Sequence, residues 1–235
     1  MRPLEIVLVS ISGVLIFSII IFFIVNRYYV KFKANKVTDY KILNQYAPNR
    51  PIVFLGDSLT DFFPIQEYLH CDKICNRGIA GETSLDVFKR ISDITILNPS
   101  TLFLLIGAND VLYEKKLTPI ESIKRIDNII KSFDQSTRII VSSLYPINRK
   151  AYWISRISCK HANNIRLQAV NTLLKQYCAD NHITYIDVYP HLCDENGNLS
   201  VDFSVEGLHL SANGYKIITK LIEPYIKDEQ LRINS

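Results

Sequence analysis

The chain has 235 residues, enough for one mid-sized domain and a short appendage. Apolar residues make up 48% and charged residues 21%, and glycine and proline are scarce, which excludes disordered, collagen-like and low-complexity chains. The formal charge of +4 sits entirely in residues 1–36, with five cations against one anion. Residues 37–235 hold 22 of each sign, so no basic excess is left for a phosphate backbone and nucleic-acid binding is not expected.

Residues 1–5 read as a short N-terminal tail. Residues 6–25 then run without a charge, IVLVSISGVLIFSIIIFFIV. A helix of that length spans roughly 30 Å, the thickness of a bilayer core. No polar face interrupts it, which argues against the core helix of a soluble domain. A cleaved signal peptide is the competing reading. Against it, the run exceeds the usual apolar region of about 7–15 residues. The next residues, Asn26-Arg27-Tyr28-Tyr29, offer no small-residue cleavage site either. The expectation is a single-pass N-terminal transmembrane helix, with Tyr28 and Tyr29 at the level of an interfacial aromatic belt. Arg27, Lys31, Lys33 and Lys36 favour a cytoplasmic position for the remainder of the chain, whereas a short tail that stays inside favours the opposite side. The side of the membrane stays open. Residues 26–50 read as a juxtamembrane tether and lead-in.

Beyond residue 50, apolar runs of strand length alternate with amphipathic stretches. Strands are expected at 51–55, ending at Gly56; at 73–76, more weakly; at 101–106, ending at Gly107; at 138–144, stopped by Pro146; and at 183–188. Ile120, Ile123, Ile126, Ile129 and Ile130 recur at helical spacing, as do Ile165, Val170, Leu173, Leu174 and Tyr177. A last helix over 211–226 opens on Ser211, suited to an N-cap, and carries Ile217, Ile218, Leu221 and Ile222. The runs around Val53, Leu104 and Ile140 are apolar on both faces, the pattern of parallel strands covered by helices on both sides. The expected fold is therefore α/β, a three-layer α/β/α sandwich over residues 51–228, with 229–235 as a C-terminal tail. Its functional loops should lie at the carboxyl ends of the strands. Five cysteines (Cys71, Cys75, Cys159, Cys178, Cys193) form no CxxC pair and read as scattered thiols, not as zinc ligands or a disulfide framework.

Four loops carry the chemistry: Gly56-Asp57-Ser58-Leu59 after the first strand, 76–84 (NRGIAGETS) after the second, Gly107-Ala108-Asn109-Asp110 after the third, and 206–211 (EGLHLS) past the fifth. Acyl transfer needs a nucleophile, a base, an orienting acid and oxyanion donors. Ser58, between a strand end and a helix start, presents its hydroxyl where a helix N-terminus favours negative charge. His209 supplies a base, and Glu206, three residues earlier, can hold its other nitrogen. The backbone N–H groups of Ser58 and Gly81 and the Asn109 amide are candidate oxyanion donors. Each element alone is ordinary turn chemistry. His70, His161, His182 and His191, with no second motif around them, keep a structural or surface reading. The ordered set of four loops is what raises the inference. Thr60 breaks a G-x-S-x-G elbow, and no H-E-x-x-H, Walker A or G-x-G-x-x-G sequence occurs.

On these blocks the chain resembles the SGNH (GDSL-type) hydrolase superfamily from about residue 51 to 226. The block at 76–84 is similar to the platelet-activating-factor acetylhydrolase-like branch. The resemblance implies a five-stranded parallel flavodoxin-like sheet, Ser58 as nucleophile, His209 as base, and the Ser58 amide, Gly81 and Asn109 as the oxyanion hole, with no metal and no organic cofactor. Two positions depart from the pattern. Ala108 stands where glycine is common. Glu206 stands where the family usually has aspartate, and its extra methylene requires it to fold back or shift the loop. Asp202 is a fallback acid, and a serine–histidine dyad a further option. The expected function is a serine esterase or lipase (acylhydrolase) cleaving carboxylic esters through an acyl-enzyme. A membrane anchor points to an ester substrate in a lipid or an acylated cell-surface molecule. An acetyl-ester carbohydrate esterase or an acyltransferase would use the same site. A non-catalytic membrane-anchored binding module is the reading Glu206 alone favours. Phe62 and Phe63 could line an acyl pocket or simply pack in the core.

Overall fold

The computed structural model describes residues 3–234, with side chains from Gly13 onward except those of Ser158, Ile233 and Asn234. Met1 and Arg2 of the expected tail, and Ser235, lie outside the described residues. The chain divides into two compact units, Met1–Ile42 and Leu43–Ser235.

The first unit is essentially one helix, α1 (Pro3–Leu43). By length and composition its stretch from Gly13 is long and apolar enough to cross a membrane, with mean hydropathy 2.0, a test that a signal sequence also passes. The helix does not stop where the apolar run ends. It continues through most of the segment expected as a tether, because residues 26–43 contain neither glycine nor proline and the next proline is Pro48.

The second unit is built on a parallel sheet of β1 (Ile52–Gly56), β2 (Ile74–Asn76), β3 (Thr101–Leu105), β4 (Arg138–Ser142) and β5 (Thr184–Ile186), in the order β2-β1-β3-β4-β5. The helices that matter here are α2 (Ser58–Asp61), α3 (Ser84–Lys89), α4 (Ala108–Tyr113), α5 (Pro119–Ile130), α6 (Asn164–Asp180) and α7 (Ala212–Asn234). Alternate strand residues point to opposite faces. Ile52, Phe54, Phe103, Leu105 and Ile140 pack with Tyr215, Ile218, Ile222 and Ile226 of α7. Val53, Leu55, Leu102, Leu104 and Val141 pack with Val87 of α3, Ile126 and Ile129 of α5, and Leu174 and Cys178 of α6. Both faces of the central strands are thus buried, which is why their sequences read as unbroken apolar runs. Each such fully buried side chain stabilises the fold by about 1.5–3 kcal/mol relative to exposure.

Local signals agree with this packing. Thr118 caps α5, its hydroxyl and the Glu121 carboxylate forming a reciprocal capping box ahead of Pro119. The strands at 138–144 and 183–188 are shorter than their apolar runs. Ser143 marks their shared end: its amide donates to the Ile186 carbonyl at 2.9 Å, and its Oγ accepts the Val188 and Tyr189 amides, each at 2.9 Å. At the C-terminus α7 runs past residue 228, where a tail was expected, with Glu229 buried and paired to Arg232 at 3.3 Å. All five cysteines are free thiols and four are buried.

Candidate active site

β1 delivers the chain to Asp57, whose carboxylate caps α2 by accepting the Leu59 amide at 3.0 Å. That cap sets Ser58 as the first helical residue, at the carboxyl edge of the sheet. Ser58 Oγ lies 3.0 Å from His209 Nε2, and His209 Nδ1 lies 2.6 Å from Glu206 Oε1. An ionised carboxylate only accepts, so Nδ1–H donates to Glu206 and Nε2 is left to accept the Ser58 hydroxyl proton. The extra methylene of Glu206 is absorbed by folding back: Oε1 also accepts the His209 amide at 3.1 Å.

The turn that permits this is tightly held. Gly207 has φ +90°, and a Cβ there would overlap the Asn148 carbonyl oxygen. Its amide donates to Ser204 Oγ at 2.6 Å, and the Glu206 carbonyl accepts from Ser155 Oγ at 2.6 Å. Asp202, the fallback acid, sits on the exposed side of this loop; its amide donates to Ser200 Oγ and its carbonyl accepts from Ser211 Oγ. Among the described residues, Glu206 is the carboxylate bonded to the His209 ring, and Asp202 is not.

Beyond the Ser58 amide, the candidate oxyanion donors Gly81 and Asn109 sit on segments that are cross-braced. Gly81 has φ +73°, a conformation in which a side chain would be strained. Its loop is tied to α2 because the Ala80 amide donates to Asp61 Oδ2 at 2.9 Å and the Asn76 amide group donates to the Thr60 carbonyl at 2.8 Å. The Asn109 amide group donates one N–H to the Glu82 carbonyl at 2.8 Å, which fixes its rotamer beside that loop. Glu82 is itself gripped by Arg90 in a buried fork, Nη2 to Oε2 at 2.6 Å and Nε to Oε1 at 2.9 Å. Asp110 accepts from the Ser84 amide at 2.9 Å, from the Ser84 hydroxyl, and from Arg125 at 3.0 Å. Asp61, Asn76 and Asp110 lie inside or next to the motifs and were readable as part of them. Arg90 stands outside every motif, and only the fold brings it to Glu82.

Phe62 and Phe63 part ways. Phe63 is buried, stacked on Tyr215 at 4.9 Å and edge-on to Phe54, so it packs in the core. Phe62 is half exposed with its ring centre 5.2 Å from the His209 ring, at the mouth of the site.

Two carboxylates differ sharply in charge behaviour. For Glu206, burial raises the pKa, but the hydrogen bonds and charge of His209 outweigh it and hold the carboxyl below its ordinary value. Burial pushes Asp57 up to about 7, offset only in part by the Leu59 amide and the charge of His209. A raised folded pKa means that Asp57 favours the fold when protonated. That contribution is complete below its unfolded value near 4 and is lost as the pH rises through about 7. An asparagine in its place would keep the cap and stay neutral. Asp57→Asn is therefore expected to stabilise the protein at pH 8, on the order of 2–4 kcal/mol, with little effect near pH 4. Urea unfolding at the two pH values measures this. No cluster of three or more potential metal ligands occurs among the described residues.

Known proteins are similar to this chain in family and fold. The model of the GDSL-like Lipase/Acylhydrolase family matches residues 54–217. A Streptococcus pneumonia structure, provisionally described as a platelet activating factor, superposes with a TM-score of 0.76 at 27% identity, covering 86% of this chain and 96% of its own. A GDSL-like lipase from Bacteroides thetaiotaomicron superposes with a TM-score of 0.71 at 22% identity, covering 82% and 98%, and shares the fold. A curated protein from Escherichia coli, N-acylneuraminate cytidylyltransferase, is 23% identical over 188 residues, which are 78% of this chain but 42% of that protein. The chain thus spans about two fifths of the length of the curated relative it matches.

Proposed function

Because the chain belongs to the GDSL-like lipase/acylhydrolase family, and so is an ester-bond hydrolase, we propose that it cleaves carboxylic esters through an acyl-enzyme formed on Ser58. The observation that carries this reading is the continuous hydrogen-bonded line from Ser58 Oγ through the His209 ring to Glu206, at 3.0 and 2.6 Å. In the reaction Ser58 Oγ attacks the ester carbonyl carbon and its proton passes to His209 Nε2. Glu206 holds the ring in the correct tautomer and stabilises the imidazolium. The carbonyl oxygen becomes an oxyanion facing the Ser58 and Gly81 amides and the second N–H of Asn109. The tetrahedral species then breaks its bond to the alcohol, which leaves with the proton from Nε2. Water repeats the sequence in reverse to free the acid. An alcohol in place of water would make the same site an acyltransferase.

Loss of one oxyanion donor costs on the order of 2.7–4 kcal/mol. Asn109→Ala is expected to lower kcat by about 10²–10³-fold with KM little changed. A thermal melt alongside the kinetics separates this loss from any loosening of the Glu82 loop.

The substrate we propose is an ester of a lipid or of an acylated cell-surface molecule, reached from an N-terminal membrane anchor over residues 6–25. The length and hydropathy of α1 support the anchor. The half-exposed Phe62 beside His209 supports an apolar acyl group at the mouth of the site. A second reading is an acetyl-ester carbohydrate esterase: the curated relative is named for an acylated sugar acid, although its named activity is cytidylyl transfer. Rates on acetyl and long-acyl esters of one alcohol separate the two: the lipid reading expects faster long-acyl turnover, and equal or faster acetyl turnover contradicts it. The 2.6 Å bond between Glu206 and His209 Nδ1 favours hydrolysis over the binding-module reading, whose motive was the glutamate.

A further inference from the structure

Between β4 and α6 lies a surface that ester hydrolysis does not use. Residues 135–179 contain no aspartate or glutamate but seven lysines and arginines, within a unit whose charges balance only because its acids lie elsewhere. In the middle of this stretch Arg149, Lys150, Arg156 and Lys160 are exposed. Interleaved with them, Tyr152, Trp153, Ile154 and Ile157 are exposed as well, Trp153 to 75% and Ile157 to 62%.

The segment is not loose. Its short helical turn Ser155–Ser158 is pinned from beneath: Ser155 Oγ donates to the Glu206 carbonyl at 2.6 Å and accepts the Tyr152 amide at 3.1 Å. The Asn148 amide donates to the Gly207 carbonyl at 2.7 Å, and Cys159 is buried. The fold therefore holds an indole and isoleucines in water on a firmly attached base, directly over the turn that carries Glu206. Cations neighbour them along the chain: Arg149 and Lys150 before, Arg156 among and Lys160 after them. Desolvation, then the charges of Lys115, Lys160 and Arg149, hold the His161 imidazole below its ordinary value. A cleft of about 190 Å³ opens next to Arg149 and Lys150, with Asn164 and Asn198 on its other side.

Apolar and aromatic side chains interleaved with lysine and arginine, with no acid among them, match one surface best. At a bilayer interface tryptophan and tyrosine settle at the headgroup boundary while basic side chains meet anionic lipid phosphates. We propose that residues 149–160 form a docking surface for an anionic phospholipid bilayer, with Trp153 and Ile157 entering the headgroup region and Arg149, Lys150, Arg156 and Lys160 meeting the phosphates. The Ser155 and Asn148 bonds then seat the Glu206 turn against the lipid surface. This goes beyond hydrolysis and does not depend on it, since docking needs neither Ser58 nor turnover.

Trp153 is the chain's single tryptophan, so its fluorescence reports this surface alone. The test uses the full chain in nanodiscs of phosphatidylcholine with and without phosphatidylglycerol, and again with brominated acyl chains. With phosphatidylglycerol present, Trp153 emission shifts to the blue and is quenched by brominated lipid. The variant R149E/K150E/R156E/K160E loses that quenching by roughly tenfold or more while still hydrolysing a soluble ester. A Trp153 that keeps a water-like emission and full access to iodide on phosphatidylglycerol discs overturns the proposal and assigns the patch to a protein partner. Quenching that survives charge reversal overturns it as well. Failure of wild type and variant alike to hydrolyse the soluble ester would count against the Ser58 reading and leave the fluorescence result standing.

Discussion

Ser58→Ala is expected to lower ester kcat/KM by about 10⁴–10⁶-fold and to leave the fold intact. The size comes from the site's arithmetic: without the nucleophile no acyl-enzyme forms, and only the oxyanion donors and binding remain, worth about 10³–10⁴ over water. The fold should not suffer. Ser58 Oγ has its bond to His209, but α2 is capped by Asp57 through the Leu59 amide, and the neighbouring loops are braced by Asp61 and Asn76. Hydrolysis of a p-nitrophenyl ester beside a thermal melt checks both halves. A variant that melts like wild type and still turns over at a tenth of its rate would remove Ser58 from the mechanism.

Glu206→Gln is expected to lower kcat by about 10³–10⁴-fold. Glutamine has the same shape, so it can still meet the His209 amide. It lacks the charge that stabilises the imidazolium, and its NH₂ group can turn toward Nδ1 and impose the wrong tautomer. Glu206→Asp is the informative companion. Oε1 reaches both Nδ1 and the backbone amide of His209 by folding back from a turn locked by Gly207, Ser204 and Ser155. A shorter acid on that locked turn falls short, so the aspartate usual in the family should be the worse residue here, with activity between wild type and the glutamine variant. The pair also leaves a mark on stability. The folded pKa of Glu206 lies below its ordinary value. Its contribution is thus present above the unfolded value near 4.3 and is lost as the pH falls through the depressed folded value. Acid unfolding of Glu206→Gln should lack that part of the loss.

Much of this architecture is legible in the residues. Strands buried on both faces announce themselves as unbroken apolar runs, and the Thr118-Pro119 start of α5 carries its own cap. Ser58 and Asn109 each lie just past an expected strand end, where an α/β sheet places its chemistry, and His209 lies in a motif farther past the last strand. What stays hidden depends on partners distant in sequence. Arg90 has no motif, yet it fixes Glu82, whose carbonyl fixes Asn109. Ser143 meets Val188 and Tyr189 only because β4 and β5 become neighbours. Phe62 and Phe63 are the same residue type in adjacent positions, and only the direction of α2 sends one to the core and the other to the mouth of the site. Asp202 and Glu206 are both acids near His209 in sequence, and the tight turn at Gly207 selects between them. The apolar run at 6–25 marks a helix but not its end, since nothing in residues 26–43 breaks it.

An activated Ser58 reacts with a fluorophosphonate probe, so the decisive measurement is labelling of the full chain, wild type beside Ser58→Ala. Rapid labelling of the wild type that disappears in the variant is the expected result. A folded wild-type protein that takes up no probe, or a variant labelled as strongly as the wild type, would contradict it.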